Sequence, residues 1–283
     1  PLNMTITPDE HIQAWKRQPD RIASEPHGLS FAHYKSVLKD KYLVHMDMRL
    51  RSIPLEVGFI PDDWKTITDV EILKKVGVLN VDKMRLIQLM RSDFQINNKM
   101  MGRRMLAFAE RHGTIEADQH GSRKNHQAIL ACLNKVLLAD IMRQRKLAGV
   151  FCMNDAKSCY DRIVHAPAAL CMRRQGVPAL VCEVLLGTLQ QSVHNIQTGY
   201  GIAPSVYQSS NGGPPLQGAG QGNGAGPAMW AIISTVIIHA MKRAGHGVQI
   251  LSALSTMAVC IVCFAFVDDA DTVQTAQSVD QSG

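Results

Sequence analysis

Apolar residues recur along this chain with two periods, one helical and one strand-like, and the change between them marks out the elements. Pro8-Asp9-Glu10 opens an amphipathic stretch, and Ser30 precedes Phe31, Tyr34 and Leu38, so both positions predict helix starts. Pro54, Gly58 and Pro61 mark a loop. From Val70 to Leu89 a short apolar run, a break at Gly77 and the segment Asp82-Lys83-Met84-Arg85-Leu86-Ile87-Gln88-Leu89 predict two short strands joined by a turn. That hairpin would gather Lys74, Lys75, Lys83 and Arg85. Helical spacing returns from Asn97 to Arg111 and from His126 to Arg145, with Gly149 ending the second helix. A short apolar strand, Val150 to Met153, then runs into Asn154-Asp155. Helix-like sequence follows to Gly176, another helix starts near Pro178, and polar strand-like sequence surrounds His194 to Tyr200. Glycine crowds the segment from Asn211 to Gly226, which leads into a helix from Pro227 to Arg243. No internal repeat is evident.

The run from Val248 to Val267 is about as long as a membrane span, and Ala225 to Met241 is also strongly apolar. Gln249, Ser252, Ser255 and Thr256 interrupt the longer run, and no basic flank stands beside its end, so buried strands are expected and a membrane span is the alternative. The run stops at Asp268-Asp269-Ala270-Asp271. Ending a buried strand in two like charges is costly unless a cation or solvent compensates. The plainer reading of the pair is a solvated turn, since turns favour Asp.

Composition narrows the choices. A chain of 283 residues, 46% of them hydrophobic, can bury a sizeable core as one large domain or two closely packed ones. Its formal charge of +6 fits an anionic partner such as nucleic acid. Seven irregularly spaced cysteines and no recognisable signal peptide argue for reduced thiols and an intracellular setting, nuclear or cytoplasmic. Cys260-x-x-Cys263 sits in an apolar run without a second ligand pair and reads as core packing. The chain begins at Pro1 rather than Met and ends soon after the acid pair, so a fragment is expected.

Asp155 at one strand end, Asp268-Asp269 at another and the glycine-rich loop between them form a chemical constellation. Adjacent antiparallel strands would bring the acids together. Three carboxylates in one cleft ionise cheaply only with cations, and magnesium, which takes most of its ligands from water and substrate phosphates, suits so small a donor set. Such a site fits phosphoryl transfer: one ion activates an attacking 3′-oxygen, the other holds a triphosphate and its leaving pyrophosphate.

From about Trp64 onward the chain resembles the reverse transcriptases of non-LTR retroelements. Phe266-Val267-Asp268-Asp269 is similar to the family's aromatic-x-Asp-Asp box, and Asp155-Ala156-Lys157-Ser158-Cys159-Tyr160-Asp161 to the other palm box. Gly220-Gln221-Gly222 through Pro227 resembles the Pro-Gln-Gly box, with Gly220 in place of its proline. Lys83-Met84-Arg85-Leu86-Ile87 is similar to the fingers box, and Gln119-His120-Gly121-Ser122-Arg123-Lys124 to the Gln-x-Gly-x-Arg segment.

The resemblance implies an α+β right-hand polymerase fragment with an antiparallel palm sheet and no thumb: residues 1–63 a helical extension, 64–148 fingers and 149–283 palm. It implies RNA-directed DNA synthesis with two Mg2+ ions, or Mn2+ in their place, held by the catalytic acids Asp155, Asp268 and Asp269. The nucleotide would meet Arg85, Lys83, Lys74, Tyr160, Gln221 and Gly222, with Tyr160 crowding a ribose 2′-hydroxyl. Template and primer would meet Arg123, Lys124 and Gly220. The partners are an RNA template, a DNA or RNA primer and dNTPs, without a membrane. From charge alone, Arg103, Arg104, Arg111, Arg143, Arg145 and Lys146 are further candidates for backbone phosphates. Two other readings stand beside this one: an inactive or truncated element remnant that only binds nucleic acid, and an isoprenoid-type diphosphate box, which needs acids on helices rather than after a strand.

Overall fold

A computed structural model describes residues 2–20, 28–78, 80, 83–210, 213–252 and 254–275. Asp82 of the expected hairpin, and Asn211 and Gly212 of the glycine-rich segment, lie outside the described residues. Along the chain come α1 (Pro8–Lys16), α2 (Phe31–Val37), α3 (Lys41–Val57), β1 (Thr66–Leu73), β2 (Met84–Leu89), α4 (Ser92–Arg111), α5 (Ala128–Gln144), β3 (Gly149–Asp155), α6 (His165–Arg174) and α7 (Ala179–Gln190). Then follow β4 (Val193–Thr198), β5 (Gly201–Gln208), α8 (Gly226–Arg243), β6 (Val248–Leu251), β7 (Ala258–Ile261), β8 (Cys263–Phe266) and β9 (Asp269–Thr275). The class is α+β, as expected. The long apolar run is three short strands, β6 to β8, and among the described residues no helix is long and apolar enough to cross a membrane.

Two compact units divide the chain, and neither is continuous in sequence. The first takes Pro1–Phe108 and Tyr160–Gly226. Its helices start on local signals: the Thr7 side chain accepts from the Glu10 amide ahead of α1, and Asp40 caps α3 through the Tyr42 and Leu43 amides. Trp15 on α1 is wholly buried, stacked on Tyr34 with ring centres 4.6 Å apart and covered by the Arg51 guanidinium. Burying an aromatic side chain of this kind contributes about 1.5–3 kcal/mol. The sheet of this unit has the order β2-β1-β4-β5, with β1 and β4 parallel and the other neighbours antiparallel.

The second unit takes Ala109–Cys159 and Pro227–Gly283. Its sheet runs β3-β9-β8, all antiparallel, with β6 and β7 paired separately. Strand alternation sends Phe264 and Val273 to Leu138 and Met142 of α5, while Cys263 and Ala265 pack with Ile238 of α8. The two faces of β8 are thus both buried, which is why its sequence is apolar without a break.

Candidate active site

The acids belong to the second unit. In the β3–β9 ladder Asp155 stands directly opposite Asp269, and Met153 opposite Asp271. Phe266 pairs with Asp269 across the β8–β9 hairpin, leaving Val267-Asp268 as its two-residue turn. The Ala156 amide donates to the Asp268 carbonyl at 3.1 Å, tying the strand that carries Asp155 to the turn. Val267 has φ of +58°, a left-handed backbone that a β-branched residue adopts at a cost of about 1–3 kcal/mol. The surrounding chain holds it there. Trp230 donates its indole N–H to the Val267 carbonyl, and a side-chain carbon on Gly121 would lie 2.3 Å from the Val267 nitrogen. The His120 amide and the Ala265 carbonyl are bonded at 2.8 Å just behind the tip.

Asp155 and Asp269 are exposed, Asp268 is half-buried, and none of the three forms an ion pair with a described residue. Like charges directly opposed across a ladder are destabilising unless something neutralises them. Asp155 and Asp269 border a cavity of about 350 Å³ beneath α5. Asp271 shares their face because β9 runs on past the acid pair, yet its carboxylate is already engaged by Lys135 of α5 at 2.6 Å. Asp155 and Asp269 are the open pair. Among the described residues, no three His, Cys, Asp or Glu side chains converge as a ready metal cluster. Magnesium binds through one or two carboxylates plus waters and phosphates, so the opposed pair, with hard oxygen donors and Lys135 already engaged by Asp271, fits it.

The segment Gln119 to Lys124 divides by role. Gln119 is buried and donates to Ser234 at 2.7 Å, and its side-chain oxygen accepts from the Gly121 amide. Arg123 turns inward, bidentate to Glu110 at 2.6 and 2.8 Å and bonded to the Glu116 and Gln119 carbonyls. Arg123 is thus engaged within its own unit, and this clamp holds the Glu110 carboxyl below its usual range. Lys124 remains exposed. Arg104, another charge-based candidate, is likewise committed, to Glu10 and to the Asn3 and Thr5 carbonyls. Cys263 is a buried core thiol, its pKa pushed up to about 12 by burial, and Cys260 lies on a different strand.

The nucleotide candidates belong to the first unit. Ile72 pairs with Arg85 and Leu73 with Met84, so Lys74 and Lys83 are the next residues beyond that end of the ladder. Arg85, Lys83 and Lys74 are all exposed at this end of the hairpin. Tyr160 is half-buried in a 3₁₀ turn, Tyr160–Arg162, and its carbonyl accepts from the Ala219 amide at 2.7 Å. The glycines of the loop also meet a demand of the fold. A side chain on Gly222, φ +126°, would lie 2.5 Å from the Gln88 carbonyl, and one on Gly220 would collide with the Gln88 side chain. They let the loop lie against β2, where the Gln88 amide donates to the Gln221 carbonyl at 2.7 Å. The Gln221 side chain donates to Asp161 at 3.3 Å.

Sequence reasoning passed over Asp161, His165 and the buried network of β1, β4 and β5. Burial raises the Asp161 pKa, with the Gln221 hydrogen bond opposing and nearby Asp69 adding to the rise. Asp69, fully buried, accepts from His194 Nδ1 at 3.0 Å and from the Tyr207 hydroxyl, whose own pKa burial and Asp69 raise. Ser192 meets the other His194 nitrogen at 2.8 Å.

The profile of the family "Reverse transcriptase (RNA-dependent DNA polymerase)" matches residues 72–276. No curated protein matches the chain. Among solved structures, an apo telomerase from Candida tropicalis, described as truncated from its C-terminal domain, aligns at 10% identity and a TM-score of 0.48. That alignment covers 79% of this chain and 46% of the telomerase chain, so this chain spans less than half of that structure's length. With the family profile covering most of its residues, from the basic hairpin of β1 and β2 to the strand behind the acid turn, the chain belongs to the reverse transcriptase family.

Proposed function

We propose that the chain is the RNA-directed DNA polymerase domain of a non-LTR-type retroelement, adding dNTPs to a primer 3′-hydroxyl opposite an RNA template. The observation that carries this reading is the Asp155–Asp269 register pair beside the Asp268 turn, on a hairpin tip held in a strained conformation. Asp155, Asp268 and Asp269 would hold two Mg2+ ions, which when bound supply Lewis-acid activation of the 3′-oxygen and charge neutralisation at the pyrophosphate.

The chain's own residues do the rest. Arg85 offers a planar fork for phosphate oxygens, and Lys83 and Lys74 add positive charge at the same hairpin end. Tyr160 places an aromatic ring that crowds a ribose 2′-hydroxyl, selecting deoxynucleotides. Gln221 is held by Gln88 and Asp161, so its backbone face is fixed when a nucleotide arrives. Lys124 grips backbone phosphate. Template sequence is read by base pairing, so the protein need only hold the hybrid.

A template-directed addition assay tests the reading. With one primed RNA series differing only in the first unpaired base, the chain adds the complementary dNTP in each case. Addition that ignores the template base, or that occurs only on DNA templates, contradicts it. The second reading, a remnant that binds nucleic acid without chemistry, predicts binding of the primed RNA and no addition at any magnesium concentration.

A further inference from the structure

The turn that carries Tyr160 and the loop that carries Gln221 are joined by a dense strap within the first unit. The Gly218 amide donates to the Ile163 carbonyl at 2.9 Å and the Ala219 amide to the Tyr160 carbonyl at 2.7 Å. The His165 amide donates to the Gln217 side chain at 2.8 Å, and His165 Nε2 meets the Gly218 carbonyl at 2.7 Å. Gln221 completes the strap through Asp161. The approach is close enough that a side chain on Gly218, φ +93°, would lie 2.7 Å from the Asp161 carbonyl oxygen.

His165 grips this loop twice, through its backbone amide and through its ring. It opens α6, so its backbone is fixed by the helix, and it is only 2% exposed. A carbonyl can only accept, so Nε2 carries the proton and donates to Gly218. Nδ1 is buried without a partner among the described residues, which leaves the loop as the ring's only hydrogen-bonded contact. Burial also holds its pKa below the usual histidine value, keeping the ring neutral near pH 7. Two adjacent loop residues, Gln217 and Gly218, are thus held by one side chain and its own amide, while the next, Ala219, is bonded to Tyr160 itself.

We propose that His165 is a positioning residue for sugar selection: it sets the spacing between Tyr160 and the Gln217–Gly222 loop, and with it the room left for a 2′-hydroxyl. The proposal rests on the reading of Tyr160 as the sugar gate. His165 touches no nucleotide. It acts through the Gly218 carbonyl and the neighbouring Ala219–Tyr160 bond.

The test compares the full chain with His165→Ala, His165→Gln and Tyr160→Ala. Glutamine carries an N–H donor to about the position of Nε2 and so preserves the clamp. Two quantities are read: the preference for a dNTP over the matched rNTP, and amide exchange at Gly218 and Ala219. Preference is measured both as kcat/KM for single-nucleotide addition and as equilibrium binding to the primed-template complex, which needs no turnover. His165→Ala should lower the preference about tenfold and speed exchange at both amides by at least that factor, the size expected for one lost hydrogen bond. His165→Gln should restore both. Faster exchange with unchanged preference makes His165 a structural clamp only and overturns the proposal, as does unchanged exchange. If Tyr160→Ala changes the preference and His165→Ala does not, the gate stands and the positioning role falls. If Tyr160→Ala also leaves preference unchanged, the gate reading itself has failed and the proposal goes with it.

Discussion

Asp269→Asn should stabilise the metal-free chain and remove its response to magnesium. Asp155 and Asp269 are direct partners across β3 and β9, where side chains of opposed residues start about 5 Å apart. Two unit charges at that separation in water repel by about 0.8 kcal/mol. Both carboxylates are exposed, so salt screens the repulsion. In EDTA at low ionic strength, the substitution should therefore raise stability by about 0.5–1 kcal/mol, a shift of about 1–4 °C in Tm, and the gain should shrink in 0.5 M salt. Added magnesium should reverse the order. A ligand at about ten times its Kd stabilises the folded wild type by about 1.4 kcal/mol, and Asp269→Asn should lose most of that. Thermal unfolding in EDTA and in a magnesium series reads both effects. A lower Tm for Asp269→Asn in EDTA, or equal magnesium stabilisation of the two proteins, would refute the reasoning.

Further outcomes follow from other parts of the fold. Asp69→Ala strips His194 and Tyr207 of their buried partner and should cost about 3–5 kcal/mol in urea unfolding, where a loss under 1 kcal/mol would show that the network contributes little. Arg123→Ala should destabilise the chain by releasing Glu110, whereas Lys124→Ala should leave Tm unchanged and reduce the salt dependence of RNA binding by about one counterion. Equal effects of the two on RNA binding would show that Arg123 contacts the template as well. Burial depresses the pKa of both His120 and His165, so the unfolded chain binds these protons first as pH falls below about 6.5. Stability should decline from pH 7 toward pH 5, and His165→Gln should decline less; a flat profile counts against burial of these rings.

The acid turn was legible because an apolar run has no cheap way to end in paired carboxylates, and the strand before Asp155 carried the same signature. Helices starting at Pro8 and Phe31 were legible from local polarity and capping. What the sequence hid was tertiary. The Val248–Val267 run gives three strands: Ser252, Ser255 and Thr256 fall between β6 and β7, whereas only the apolar Val262 separates β7 from β8, a break that a length argument cannot weigh. Strand β5 went unread, its Gly201 and Pro204 masking an exposed edge. Arg104 and Arg123 looked like phosphate grips because their acidic partners, Glu10 and Glu110, lie far away or on another element. The loop glycines looked free for a ligand, and only the approach of Gln88 shows that the fold itself requires them. His165 gave no sign of its role because both of its loop partners lie more than fifty residues on.

The central claim is that Asp155, Asp268 and Asp269 act together in nucleotide addition. Single-turnover addition of one dNTP to a primed RNA, in magnesium and again in manganese, tests it for the wild-type chain, Asp155→Asn and Asp268→Asn. The account predicts metal-dependent addition by the wild type and at least a hundredfold loss in each variant, with primed-RNA binding unchanged. Addition at equal rates in all three proteins would contradict it.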